Sequence, residues 1–247
     1  MTQQTDGTTR RTALNRERVL RAAVAHADRS GIEALSMRSL AQELGVVPMA
    51  LYKHVANKDE LLAGMVDIVI AEMDETDVVG GTAEDGGTAP AVEQADWKGA
   101  VRRRILAARR ALLRHLWAAR VIESRTAPTP GALGYLDALI GTFRSGGLSA
   151  DLTHHAMHAL GSRLWGFTQE LLPAAPDTDA QVQAAALADL ALRYPHIAEI
   201  AAGGAHDEDT VVGRGCDDQF EFEFALDLLL DGVERLHRQG WSSAGRT

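Results

Sequence analysis

A single cysteine, Cys216, in 247 residues excludes an internal disulfide framework and suits a reducing compartment. No stretch approaches the roughly 20 consecutive apolar residues that a membrane-crossing helix needs. The opening MTQQTDGTTRRT has no apolar core of the kind that directs secretion, so the expected setting is the cytoplasm. Lysine is nearly missing: Lys53, Lys58 and Lys98 are the only three, and arginine supplies almost all the positive charge. Such scarcity is what the codon bias of a GC-rich genome would produce. There is no internal repeat, no alternating strand pattern, and no supported nucleophile, base or metal constellation of the kind an enzyme requires.

What is present is unevenly distributed. The net charge of -9 disfavours nucleic acid at first sight, yet residues 1–58 hold nine Lys or Arg against five Asp or Glu. That is about +4 in the head and about -13 in the rest, the asymmetry expected when one end of a molecule meets phosphate. The length accommodates one large or two modest domains.

Residues 1–14 are polar and carry adjacent Arg10 and Arg11, so a flexible basic arm is expected. Its arginines either enter a narrow minor groove or belong to an ordinary solvated tail. Residues 15–74 read as a helical head with a connecting helix, 75–95 as a mobile linker loop rich in Gly, Thr and Ala, and 96–240 as a helical body. In the body the periodicity predicts helices at about 96–115, 131–145, 150–172, 179–193 and 216–238. Short turns are expected near 118–124 and 195–202, and an acidic loop over 203–215. The predicted fold class is all-α.

The most informative stretch is Leu35 to Lys58, LSMRSLAQELGVVPMALYKHVANK. Ser36 suits an N-cap, with Leu35 and Leu40 as a hydrophobic staple, and Gly45 suits the left-handed residue that stops a helix. Pro48 fits the first position of a second helix, predicted over Pro48 to Val55 and too short to stand alone. Asn57 and Glu60 predict a capping box for the next helix. Lys58 then sits where a cation opposes the helix dipole, a place a phosphate partner would explain. Two short helices around a glycine turn form a helix-turn-helix. In such a unit Ser36, Arg38, Tyr52, His54 and Lys58 are the expected phosphate contacts, while Val47, Pro48, Met49, Ala50 and Lys53 reach base edges. His54 serves equally well as a packing residue against the first helix. Mostly apolar or small, the base-facing set fits thymine methyl groups, with one lysine for guanine.

These residues carry a family likeness. Leu35-Ser36-Met37-Arg38, Leu40-Ala41, Leu44-Gly45-Val46, Leu51-Tyr52, His54-Val55 and Asn57 to Leu62 resemble the N-terminal domain of the TetR (tetracycline repressor) family of transcriptional regulators, over roughly Asn15 to Asp74. More weakly, Arg114 to Trp117, Leu164 to Phe167 and Phe222 to Asp227 resemble the tetracycline-repressor-like effector domain, which often has proline where this chain has Leu116. The resemblance implies a homodimeric repressor that binds a palindromic operator and is released by a small molecule, an antibiotic or a biosynthetic intermediate.

In the body, Trp117, Phe143, Met157, His158, Arg163 and Trp165 offer aromatic and adaptable surface for a large, partly aromatic effector, although aromatics at helical spacing also make ordinary core. His154 and His158 lie one helical turn apart, but ligands for a zinc site are too few, and no metal or cofactor is expected. On the last helix Phe222, Leu226, Leu229 and Val233 recur at helical spacing, and Phe220, Phe224, Leu228 and Leu230 make a second apolar face. With the small Ala156 and Ala159 on the 150–172 helix, they predict a twofold dimer interface of four helices, with burial in a single-chain core as the alternative. A ligand-blind DNA-binding regulator and an all-helical enzyme are the rival functions.

Overall fold

The computed structural model describes residues 13–75, 96–166, 191–196, 199, 206–207, 215–216 and 218–245, and of helix residues 74, 75 and 162–166 the backbone alone. The basic arm with Arg10 and Arg11, the expected linker loop, most of the 179–193 helix and the side chains of Arg163 and Trp165 lie outside the described residues. The helices are α1 (Arg16–Ser30), α2 (Met37–Leu44), α3 (Pro48–Leu51), α4 (Lys58–Glu75), α5 (Trp97–Arg114), α6 (Leu116–Ser124), α7 (Pro130–Ser145), α8 (Ala150–Gly166) and α9 (Asp218–Arg238), with a 3-10 turn at Ile32–Ala34. The fold is all-α. Within the segment expected as an acidic loop, two two-residue strands pair antiparallel, His206 with Cys216 and Asp207 with Gly215. Strands that short carry no alternating pattern for a sequence to reveal. Among the described residues no helix is long and apolar enough to cross a membrane.

The chain forms two units. One contains Met1–Ala89 and Arg103–Leu139, the other Pro90–Arg102 and Ile140–Thr247. In the first, α1 presents Val19, Leu20, Ala23, Val24 and Ala27, all buried, to α2, α4 and α6. From α4 come Leu61, Met65, Val66, Val69 and Met73. Each such side chain withdrawn from water contributes on the order of 1.5–3 kcal/mol. α1 and α4 approach closely because Gly64 has no side chain: a Cβ there would lie 2.6 Å from Leu20 Cδ2.

The second unit is built on α8 and α9, with Leu152, Ala156 and Leu160 buried from one and Phe222, Leu226, Leu230 and Val233 from the other. The first turns of α5 add Trp97 and Val101, and the Trp97 ring packs on that of Phe143 at 5.6 Å. Two ion-pair groups bind α5 to α9. Lys98 pairs with Asp231 and with Glu234 at 3.0 Å, and Arg102 reaches Asp227 at 2.7 Å and Glu223 at 2.6 Å. The segment expected as a turn near 118–124 is the nine-residue helix α6, whose first turn carries Leu116 where the family pattern has proline. Leu116 is the first residue of α6, a position that accepts leucine or proline alike, so the helix starts there with either.

Candidate nucleic-acid interface

Local chemistry fixes each end of the two short helices. Asn15 caps α1, its side chain accepting from the Arg18 amide at 2.8 Å. At α2 the Ser36 hydroxyl accepts from the Ser39 amide at 3.0 Å, and the Ser39 hydroxyl accepts from the Ser36 amide at 2.9 Å. A serine therefore takes the returning role that glutamate or glutamine has in the usual capping box. Gly45 stops α2 at φ +65 and ψ +35, left-handed backbone that a side chain would strain. The Val46 amide then bonds back to Ala41 O at 3.0 Å.

Pro48 is the first residue of α3, as its fixed φ and missing N–H favour. The predicted helix over Pro48 to Val55 is shorter in the structure. Regular helix ends at Leu51, and the His54 and Val55 amides close a turn on Leu51 O at 2.8 and 3.0 Å. Leu51 and Val55 are both fully buried, as residues four apart on one face of a helical turn can be. The next cap also differs in detail from the expected box. The Glu60 amide donates to Asn57 Oδ1 at 2.8 Å, but the Glu60 carboxylate accepts from the Ala56 amide at 2.7 Å, one residue earlier.

Burying Leu51 leaves the opposite side of α3 open. Val47 is 67% and Met49 70% exposed, with Pro48, Tyr52 and Lys53 exposed beside them and Ala50 and His54 half-buried. Ser36, Arg38 and Lys58 are also exposed. Val47, Met49 and Tyr52 together make a small exposed apolar surface beside Lys53. A feature the sequence did not disclose holds α2 at its angle to α1. Glu43 of α2 lies 2.7 Å from His26 Nδ1 and 2.5 Å from the Arg29 guanidinium, both on α1. The hydrogen bond from His26, then that from Arg29, holds the Glu43 carboxyl below the ordinary carboxylate value.

The residues expected to line an effector pocket are divided between the units. Trp117 belongs to the first, and Phe143, Met157 and His158 to the second. Phe143 is fully buried against Trp97, so it is a core residue rather than a binding surface. Met157 is half-buried and His158 exposed, its ring 4.6 Å from that of His154. Trp117 borders a cavity of about 360 Å³ in the first unit, between α1, the 3-10 turn, α5 and α6, while its N–H donates to Asp28 Oδ1 at 2.7 Å. A second cavity, of about 510 Å³, lies in the other unit beside Trp97, Lys98 and His237. Among the described residues no group of three or more His, Cys, Asp or Glu is placed to hold a metal ion.

The expected dimer seam needs a correction as well. Phe222, Leu226, Val233 and Ala156 are buried inside the chain's own second unit, so a partner chain cannot meet them, and Leu229 and Ala159 are half-buried. The stripe with the cleanest spacing is the one that packs internally. On α9 the open apolar residues are Phe220, Phe224 and Leu228.

Comparison with known proteins accounts for this architecture. Residues 19–65 match the family model described as bacterial regulatory proteins, tetR family, and residues 89–237 match the tetracyclin repressor-like C-terminal domain. The HTH-type transcriptional repressor DrrR1 of Streptomyces coeruleorubidus is 32% identical over 237 residues, covering 92% of this chain and 79% of that protein. The class D tetracycline repressor of Escherichia coli is 34% identical over 108 residues, 44% of each chain. The structure of ActR from Streptomyces coelicolor without ligand aligns over 93% of this chain and 99% of that one, with a TM-score of 0.66 and 26% identity. ActR has also been solved in complex with actinorhodin, where the TM-score is 0.63 at 26% identity, over 91% of this chain and 98% of that one. With both halves matched and one relative similar over 92% of this chain, the chain belongs to the TetR family of bacterial transcriptional regulators, with an N-terminal helix-turn-helix and a tetracycline-repressor-like C-terminal domain.

Proposed function

We propose that the chain is a homodimeric repressor whose two heads read a palindromic operator and which a small molecule releases. One observation carries this reading: an apolar pair, Val47 and Met49, stands exposed beside Lys53 on a helix whose other side is anchored by Leu51. In a major groove those side chains meet thymine methyl groups and a guanine edge, while Ser36, Arg38, Tyr52, His54 and Lys58 hold the flanking phosphates. Arg10 and Arg11 on the arm over residues 1–14 extend the contact into the minor groove. The head over residues 15–74 reads, the linker over 75–95 connects, and the body over 96–240 dimerises and senses.

The effector is an antibiotic or a biosynthetic intermediate, a proposal supported by the similarity to ActR, which has been solved with actinorhodin. Its action is a population shift: a ligand preferring a different head spacing needs a differential affinity of a few kcal/mol to clear the operator. Dimerisation through α8 and α9 uses Phe224 and Leu228, 53% and 58% exposed, in place of the internally packed stripe. The cytoplasm is the compartment where all of this takes place.

The test is a gel shift on a palindrome selected from a randomised pool, repeated with a panel of antibiotics and pathway intermediates. Release by a subset of the panel supports the proposal. A specific complex that no ligand class disturbs favours the ligand-blind regulator, and the absence of any specific complex removes the DNA-binding reading.

A further inference from the structure

The cavity of about 510 Å³ lies wholly within the second unit, where the first turn of α5, the residues just after α7 and the last turns of α9 come together. Trp97 forms part of its wall. That side chain is 8% exposed, and its indole N–H finds no acceptor among the described residues. The pyrrole edge that carries the N–H lies against Gly146, where a Cβ would fall 2.3 Å from Trp97 Cδ1. His237 forms another part of the wall. It is half-buried, and its ring nitrogens likewise have no hydrogen-bond partner among the described residues. Gly147 has φ +83, and a Cβ there would stand 3.7 Å from the His237 ring, so bare backbone runs from the indole to the imidazole.

The ionised side chains on the wall already have partners in the chain. Lys98 pairs with Asp231 and with Glu234 at 3.0 Å, and those hydrogen bonds, Asp231 first, raise its ammonium above the ordinary lysine value. Arg238 reaches Glu234 at 2.7 Å, and Asp96 takes the Gly99 amide at 2.8 Å. Lys98 and Arg238 against Asp96 and Glu234 leave no net sign to attract an ion. What the cavity leaves unmatched is two donors. A mostly buried indole N–H ordinarily finds an acceptor, and an imidazole donates in either protonation state. Two acceptor oxygens on an uncharged molecule would complete both, and an aromatic ring suits a wall made of indole edge and glycine backbone. The volume falls within the range of about 300–1,000 Å³ that small-molecule pockets occupy.

We propose that this cavity is a binding site for an uncharged aromatic small molecule bearing a carbonyl and a hydroxyl oxygen, which accept from Trp97 Nε1 and from the His237 ring. Its role as an effector site rests on the reading of the body as the sensing part of a regulator; its occupancy does not. Of the residues the sequence singled out for a ligand, Phe143 supports the site at one remove, its ring packed on that of Trp97 at 5.6 Å. Trp97 itself carries no mark in the sequence that separates it from an ordinary core aromatic.

The experiment is equilibrium dialysis of the full-length protein against umbelliferone, a two-ring lactone with a carbonyl and a hydroxyl, at a mildly acidic pH where the hydroxyl keeps its proton. Naphthalene, which has no acceptor, and naphthoate, which is an anion, are run beside it. Wild type is compared with Trp97→Phe, which keeps a ring on Phe143 but has no N–H, with His237→Leu, and with Trp241→Phe, an indole outside the cavity. Wild type should bind umbelliferone saturably. Trp97→Phe and His237→Leu should each bind it about five- to tenfold more weakly, the loss of one hydrogen bond, and Trp241→Phe should match wild type. Naphthalene should not distinguish wild type from Trp97→Phe. Thermal melting accompanies each variant; should Trp97→Phe melt early, His237→Leu, at a half-buried position, carries the test. No saturable binding, with water alone completing the two donors, or full affinity in both cavity variants, would overturn the site. Tighter binding of naphthoate than of umbelliferone would overturn the uncharged class. Dialysis uses no DNA, so failure to enrich any operator would strike the regulator reading and leave this result standing.

Discussion

Lys58 opens α4, where the helix dipole disfavours a cation, and Asp59 and Glu60 follow it where the dipole favours anions. An exposed lysine in that place fits a phosphate. Replacing it with alanine should weaken binding to every sequence alike and lower the salt slope by about one. Met49→Ala or Lys53→Ala should instead change which bases are preferred. Salt titrations on a set of operator variants separate the two effects, and uniform losses from all three substitutions would contradict the division of roles. Glu43 supplies a second test at this scale. Its carboxyl is held below the ordinary value by His26 and Arg29, so its contribution is complete at neutral pH and disappears as the pH falls through the acid range. Glu43→Gln should therefore cost about 1 kcal/mol near neutrality and progressively less on acidification, read from denaturant unfolding.

Elements differ in how much of them the sequence disclosed, and the reason is the range of the interactions that set them. Asn15, Ser36, Gly45 and Pro48 act on amides or dihedrals within five residues of themselves, and each ends or begins a helix where the sequence places it. The end of α3 at Leu51 is not marked in the sequence, because no glycine or proline stands between Leu51 and Val55. His115 lies 87 residues from Asp28 and 43 from Glu72, and nothing local to any of the three announces their meeting. The α9 stripe at Phe222 failed for a related reason: spacing reveals that a face is apolar, not which of two apolar faces its own chain covers. Because Gly45 has positive φ with open space about it, Gly45→Ala should cost about 1 kcal/mol by strain alone. Leu51→Ala, which empties the buried anchor of α3, should cost about 2–5 kcal/mol. Unfolding curves showing Gly45→Ala as the more damaging of the two would place the support of α3 elsewhere.

For the whole molecule, the proposed assembly depends on α9 having one apolar face for its own chain and another for a second copy. Phe224→Glu together with Leu228→Glu should leave a folded monomer that fails on a palindrome, since those side chains are open to water in the single chain. Phe222→Glu should instead unfold the second unit, because it places a charge among fully buried neighbours. Sedimentation velocity with circular dichroism distinguishes these outcomes, and a double variant that still sediments as a dimer would move the seam off α9.

The central claim, that two copies of this head read one palindrome, is tested most directly by selecting full-length protein against a pool of random duplexes and sequencing what it retains. The account predicts an inverted repeat with half-site centres about one helical turn, 34–36 Å, apart or a multiple of it, because twofold symmetry in the protein must be mirrored in the DNA. Enrichment of a single unrepeated site, or of none, would contradict it.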